Sequence, residues 1–339
     1  MKNKLVALFL CVCALVYAFP GIAYAEDNYV LEISGTGEEN IDGKYSSLTE
    51  AMATYLATGG TECQMKLLAD TEVEIDSSSE LPIAIGIGGA NSVLDLDGHT
   101  LTVTGTGMAI MISGVPNAPV YIKNGTIILN GTTLAGVVCA DGDMIVENVS
   151  ILPGANASEV IGVVSGIDQS GHQSGAVIKN CQVCLGEDNQ DLQGMNYGLE
   201  ASIEIQSGHF SSNPVAEDGS IVYAEGSNAL EKLPAGVATG TTVITSDDTT
   251  AIIVKDGAAY TYDTLQDAVD AADRKTEILL VKQPGKDEVE IPNDSNLTLK
   301  PLDEDTAINM DDIPLVDEDG QKLEITEEGT LKPDRKSVV

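Results

Sequence analysis

Short runs of alternating apolar and polar residues recur through the middle of the chain. In "SVLDLDGHTLTVTG", Ser92–Gly105, the residues Val93, Asp95, Asp97 and His99 share one parity. Leu94, Leu96, Leu101 and Val103 supply the apolar side across a break at Gly98. A period of two is that of a strand with one buried face, so the stretch reads as two short strands meeting at Asp97-Gly98. The same cadence returns in "VYIKNGTIIL", "MIVENVSIL", "AVIKNCQVCL" and "IEIQSGHF", each a short β-branched run, a polar corner and a second short run. The corners fall at Asp97, Asn124, Asn148, Asn180 and Ser207, in steps of 27, 24, 32 and 27.

A hairpin protein has no reason to keep one corner at a near-constant period. A coil of short parallel strands does, because each turn must bury its inner face on its neighbours. Asn suits such a corner: it tolerates left-handed dihedrals, bonds nearby backbone and stacks into a ladder of side chains. The pattern predicts a right-handed parallel β-helix, with segments such as "GANASEV" and "SGIDQSGHQSG" leaving the coil as loops. A β-sandwich with accidental spacing is the alternative.

A longer repeat brackets this region. "YSSLTEAMATYLA" (Tyr45 to Ala57) spaces Leu48, Met52, Tyr55 and Leu56 as one face of a helix, with Ser46 or Ser47 as its N-cap. "MKLLAD" and "TEVEI" follow as strands. "YDTLQDAVDAA" (Tyr262 to Ala272), "EILLVK" and "DEVEI" repeat that order. Leu48 and Ala51 match Leu265 and Ala268 at an offset of 217, and "EVEI" recurs at an offset of 216. An amphipathic helix before the first coil would cover the open end of a solenoid. The expected fold is therefore all-β: a β-helix with an N-terminal capping helix and a smaller C-terminal α+β module repeating the cap.

The segment from Met1 to Ala25 stands outside that fold. Lys2 and Lys4 precede the apolar "LVALFLCVCALVYAF", and "AYA" supplies a small-x-small cleavage site before Glu26. This is the pattern of a secretory signal peptide, too short and too early for a spanning helix. The expected domains are a signal peptide at 1–25, a capped β-helix at 26–228, and a C-terminal module with an acidic tail at 229–339. The expected location is extracellular, secreted or at a bacterial cell surface, with no membrane insertion after cleavage. No sorting motif or hydrophobic tail precedes Val339, which reads as free secretion or as a truncated form of a longer surface protein.

Composition sharpens the picture. Without the signal peptide 15 basic residues face 53 acidic ones, a net charge of 15 − 53 = −38. Such a field repels nucleic acid, anionic lipid and anionic polysaccharide unless cations bridge them. There is no Trp, and Phe210 is the one Phe outside the leader, which suits a stack of small aliphatic residues. Of the remaining cysteines, Cys181 and Cys184 form a "CQVC" with no second ligand pair, and on a strand they face opposite ways. Together with Cys63 and Cys139 they read as buried thiols.

The "Y-x-S/T-L-x-x-A" helix leading to "LL", the strand "LDLDGHTLTVTG" and the exit "SGHFSSNPVAEDGSIVYAEG" resemble a group of exported, pectate-lyase-like β-helix proteins of Gram-positive anaerobic bacteria. The resemblance covers Tyr29 to about Gly226, and 250–300 more weakly. It implies a secreted or surface-exposed protein with an adhesive or glycan-associated role.

Candidate chemistry is sparse along the chain. A lyase needs a base beside a uronate and calcium held by clustered Asp. The two arginines, Arg274 and Arg335, lie outside the expected coil, and Lys123 and Lys179 occupy equivalent "IKN" triplets, a structural place. A hydrolase needs paired carboxylates, and "SGIDQSGHQSG" offers Asp168 and His172 without a partner Asp. His99 and His209 take similar corner positions. No catalytic or cofactor-binding residue is assigned. Asp141 and Asp143, with Glu187, Asp188 and Asp191, are the candidates to hold calcium between coils; no other cofactor is expected. Tyr121, Tyr197 and Tyr223 share no evident face for sugar stacking. The reading is a non-catalytic surface β-helix whose partner is an extracellular glycan or a host or bacterial surface protein. The alternatives are a carbohydrate-active enzyme (polysaccharide lyase or glycoside hydrolase) and a structural repeat segment of a larger surface protein.

Overall fold

A computed structural model describes residues 28–325 except 58, 77, 80–81, 167–174, 196–200, 294 and 324. Its contacts divide the chain into two compact units. One runs to Ile205 and takes in Asn213–Tyr223; the other comprises Gln206–Ser212 and the chain from Ala224 onward. The expected signal peptide at 1–25 lies outside the described residues.

The first unit is a parallel β-solenoid of three sheets. In the first sheet, Gln64–Leu67, Val93–Asp95, the start of Val120–Asp141, the start of Asp143–Pro153, Gly175–Lys179, Ile203–Ile205 and Ile221–Tyr223 stack in parallel. The second stacks Thr71–Glu74 on residues 100–104, 126–130, 149–153 and Cys181–Val183. The third stacks Ile83–Gly88 on residues 108–113, 134–141, Ile161–Ser165 and Gln190–Gln193. Residues of one parity fill the interior of the first two sheets: Leu94, Ile122, Val146, Ile178, Leu101, Ile127 and Ile151 are all fully buried. The third-sheet strands Ile83–Gly88, 134–141 and Ile161–Ser165 are buried in runs of consecutive residues rather than at alternate positions, whereas Gln190–Gln193 is largely exposed.

The corner between the first and second sheets is made by the predicted residues. Asp97, Asn124, Asn148 and Asn180 have φ of 49°, 58°, 54° and 50°, the left-handed region that Asn and Asp enter most readily. Ser207 does not share this conformation; the neighbouring Gly208 has a positive φ, but at 148° it lies far from the corner asparagines. Asp97 is also displaced in register. Asp95 pairs with Lys123 and Thr100 with Thr126, so the first corner turns through Leu96, Asp97, Gly98 and His99, the next through Asn124 and Gly125 alone. Gly131 marks a close approach between coils, since a Cβ there would stand 1.9 Å from the Gly105 carbonyl oxygen.

An antiparallel start precedes the coil. Leu31–Ser34 pairs antiparallel with both Gly43–Tyr45 and Gln64–Leu67. Between them the first helix, Leu48–Leu56, begins at Ser47, whose hydroxyl accepts the Glu50 N–H at 3.3 Å. It buries Leu48, Ala51, Met52 and Tyr55, and the Tyr55 hydroxyl donates to the Thr61 carbonyl at 2.7 Å.

The second unit follows the same order. A hairpin, Ala251–Lys255 with Ala258–Tyr262, turns through Asp256-Gly257, both at positive φ, as a two-residue turn between twisted strands requires. The second helix, Leu265–Ala271, is capped by Thr264. Glu277–Leu280 then pairs antiparallel with the first hairpin strand and parallel with Thr298–Pro301, while Val289–Ile291 pairs in parallel with Leu315–Asp317. The registers match. Leu31 opposes Tyr45 and Leu67, and Ala251 opposes Tyr262 and Leu280. Leu265, Ala268, Val269, Ile278, Leu280, Leu299 and Leu315 lie in one buried cluster of this unit.

Candidate recognition face

The outward side of the first sheet is built by register. Met65, Leu94, Ile122, Val146, Ile178 and Ile205 lie opposite one another and are buried. Strand pleating therefore turns the residues on either side of each one outward. The residues before them form the row Gln64, Val93, Tyr121, Ile145, Val177 and Glu204; those after them form the row Lys66, Asp95, Lys123, Glu147 and Lys179. Val93, Tyr121, Ile145 and Val177 give four consecutive half-buried apolar positions between polar ends.

The second row alternates in sign. Lys123 Nζ stands 3.4 Å from Asp95 Oδ2 and Lys179 Nζ 3.0 Å from Glu147 Oε1, while Lys66 Nζ reaches Asp97 Oδ2 at 2.9 Å. Neighbouring strands lie about 4.8 Å apart, so every charge has an opposite charge one strand away. Four lysines and no arginine occur between residues 26 and 223, against 27 carboxylates; three of the four stand in this row. Asp95 also joins the row to the corner. Its Oδ1 accepts the Asp97 N–H at 2.9 Å and Asn124 Nδ2 at 3.1 Å, and Asn148 Nδ2 donates to Asn124 Oδ1 at 3.3 Å. The foot of the ladder is thus Asp95, because the longer first corner carries Asp97 out of line and into its pair with Lys66.

The other candidates are distributed elsewhere. Asp141 and Asp143 flank Gly142 where the third sheet passes into the first; Asp143 Oδ2 accepts the Asn117 N–H at 2.6 Å, and the Asp141 carbonyl accepts Gly114 N–H at 2.8 Å. Glu187 and Asp188 are exposed in a turn, and Asp191 Oδ1 accepts the Leu185 N–H at 3.0 Å. Asp143 and Asp191 thus hold corner backbone, and no three His, Cys, Asp or Glu side chains converge as a metal cluster among the described residues. Asp168, His172, Tyr197 and Arg335 lie outside those residues.

The two corner histidines have unlike surroundings. His99 Nδ1 stands 3.5 Å from Asp70 Oδ1 at the surface. His209 is buried, its Nδ1 accepts the Ala259 N–H at 3.2 Å, and burial holds its pKa below the ordinary value. Tyr121 faces outward, whereas Tyr223 stands opposite Ile205 and donates to Asn213 Oδ1 at 3.0 Å. None of the four cysteines is in a disulfide. Burial raises the Cys63 thiol and pushes Cys139, Cys181 and Cys184 up to about 12, so they stay protonated and unreactive at neutral pH.

The alternating row does not emerge from the sequence alone, although part of its signal is present: Lys123, Glu147 and Lys179 each precede a corner Asn. Comparisons with protein-family models, with curated proteins and with solved structures find no match to this chain.

Proposed function

We propose that the protein is a non-catalytic, exported β-helix that recognises an extracellular ligand at a bacterial surface, a glycan or a surface protein. One observation carries this reading: an apolar row beside a self-paired charged row on the outward first sheet. Glycoside hydrolysis asks for two carboxylates flanking one bond, about 5 to 10 Å apart. Asp95 and Glu147 share one face two strands apart, about 10 Å, but Lys123 stands between them and each is already paired with a lysine. The charged residues of the third sheet are Asp141, at the end of its strand, and Asp191, whose carboxylate accepts the Leu185 N–H; the strands at 83–88, 108–113 and 161–165 carry no Asp, Glu, His, Lys or Arg. Both points favour presentation of a surface over turnover. The helix beginning at Ser47 serves in this reading as the cap of the coil.

A second reading, a repeat segment of a larger surface protein, is favoured by the matched registers around Leu31 and Ala251.

The test is a glycan array and a cell-binding assay with residues 26–339, each with and without calcium, alongside an assay for new reducing ends and unsaturated uronates. Binding without product is the expected result. Formation of product, or no binding to any glycan or cell surface, overturns the reading.

A further inference from the structure

We infer that the outward face of the first sheet is the binding site and that its ligand is an uncharged, extended glycan lying along the stack of coils; this rests on the recognition reading above.

The argument begins with polarity. Val93, Tyr121, Ile145 and Val177 face outward in consecutive strands, bounded by Gln64 and Glu204. Their strands span about 14 Å, three spacings of about 4.8 Å. A sugar ring has an apolar face of C–H groups and a rim of hydroxyls. Tyr121, flanked by Val93 and Ile145, offers the amphipathic aromatic surface on which such a face stacks.

The hydroxyl rim meets the second row. Each Lys–carboxylate pair sets donors and acceptors side by side: Lys123 with Asp95 at 3.4 Å and Lys179 with Glu147 at 3.0 Å. Neighbouring sugar hydroxyls both donate and accept, so one ammonium and one carboxylate satisfy a vicinal pair.

Charge selects the class. The five row positions Lys66, Asp95, Lys123, Glu147 and Lys179 sum to 3 − 2 = +1, while the chain from 26 to 223 carries 4 − 27 = −23. A polyanion finds no free cation in the row, since each lysine has a carboxylate partner, and is repelled by the surrounding field. An uncharged glycan meets neither obstacle.

The experiment titrates the mature protein, residues 26–339, with neutral oligosaccharides (cello-, manno- and xylo-series) and with oligogalacturonate, by calorimetry. Tyr121→Ala, Lys123→Met and the second-sheet control Thr102→Ala are measured in parallel, with folding checked by circular dichroism. The expected result is binding of a neutral series, weakened at least tenfold by Tyr121→Ala and several-fold by Lys123→Met, and unchanged by Thr102→Ala. Neutral binding that Tyr121→Ala leaves intact overturns the site, and binding of oligogalacturonate alone overturns the class; recognition stands in both cases. Cell-surface binding with no glycan bound overturns this inference and leaves the broader reading. Loss of all binding, to cells and glycans alike, overturns both.

Discussion

Asn148 shows what a single corner residue contributes. It holds φ at 54° and donates its side-chain amide to Asn124. The left-handed conformation costs most residues roughly 1–2 kcal/mol but Asn less, and a net hydrogen bond is worth about 1 kcal/mol. Asn148→Ala therefore loses both and should destabilise the protein by about 2 kcal/mol in urea unfolding. Asn148→Gly keeps the backbone freedom and should cost about half as much; equal losses would show that the ladder, not the dihedral, governs this corner. His209 supplies a pH dependence. Its folded pKa lies below the ordinary value, so the unfolded chain takes up the proton first and stability falls as pH drops below about 6.5. One proton limits the slope to about 1.4 kcal/mol per pH unit. The stability gap between the wild type and His209→Gln should close as pH falls from 7.5 to 5; a gap that stays constant sinks this account. The corner asparagines were legible because their chemistry is local. The placement of Asp97 was not, since the greater length of its corner appears only when Asp95 is set against Lys123 and Thr100 against Thr126.

Strands of the first two sheets declared themselves because one face meets water and the other the coil interior, as in Val93–Asp95. "MAIMIS", "LAGVVCA" and "IGVVS" of the third sheet have no polar side to alternate with, so period-two reading passes over them. The first helix emerges where its apolar spacing placed it and the second where the repeat placed it, and the two N-caps use the same device: a hydroxyl at Ser47 or Thr264 accepting the N–H three positions on. Cross-strand partners are a different matter, because each pairing joins elements a whole coil apart in the chain. The charged row is the product of that pairing. The substitution Lys123→Glu would set three carboxylates in successive strands, the new one between Asp95 and Glu147. Two favourable pairs of about 0.5 kcal/mol each become two repulsive ones, a loss of about 1–2 kcal/mol. That loss should shrink in 1 M salt, where the Debye length falls to about 3 Å. A loss independent of salt would mean that the lysine stem, not its charge, does the stabilising.

At the scale of the whole molecule, a solenoid behaves as a one-dimensional stack in which each coil meets only its neighbours. Coils should then be removable at equivalent corners, and the charged row adds a parity rule to this freedom. Deleting Asn124–Glu147 removes one coil, joins Lys123 to Asn148 and retains one intact corner. The outward row then reads Lys66, Asp95, Lys123, Lys179, with two lysines in adjacent strands. Deleting Asn124–Lys179 removes two coils and leaves Lys66, Asp95, Lys123 alternating. The shorter deletion keeps more buried surface yet carries the clash; the longer one loses more core yet keeps the pattern. Both proteins should fold, because the seam in each case sets Leu101 beneath a matching inner residue, Ile151 or Val183. The two deletions should differ in their response to salt. The one-coil variant, with its adjacent lysines, should gain stability from 0.05 to 0.5 M NaCl beyond whatever gain the wild type shows from screening its large negative charge. The two-coil variant should follow the wild type. Parallel salt curves for all three proteins would remove the row from any part in setting how coils stack, leaving the buried aliphatic register to do so alone.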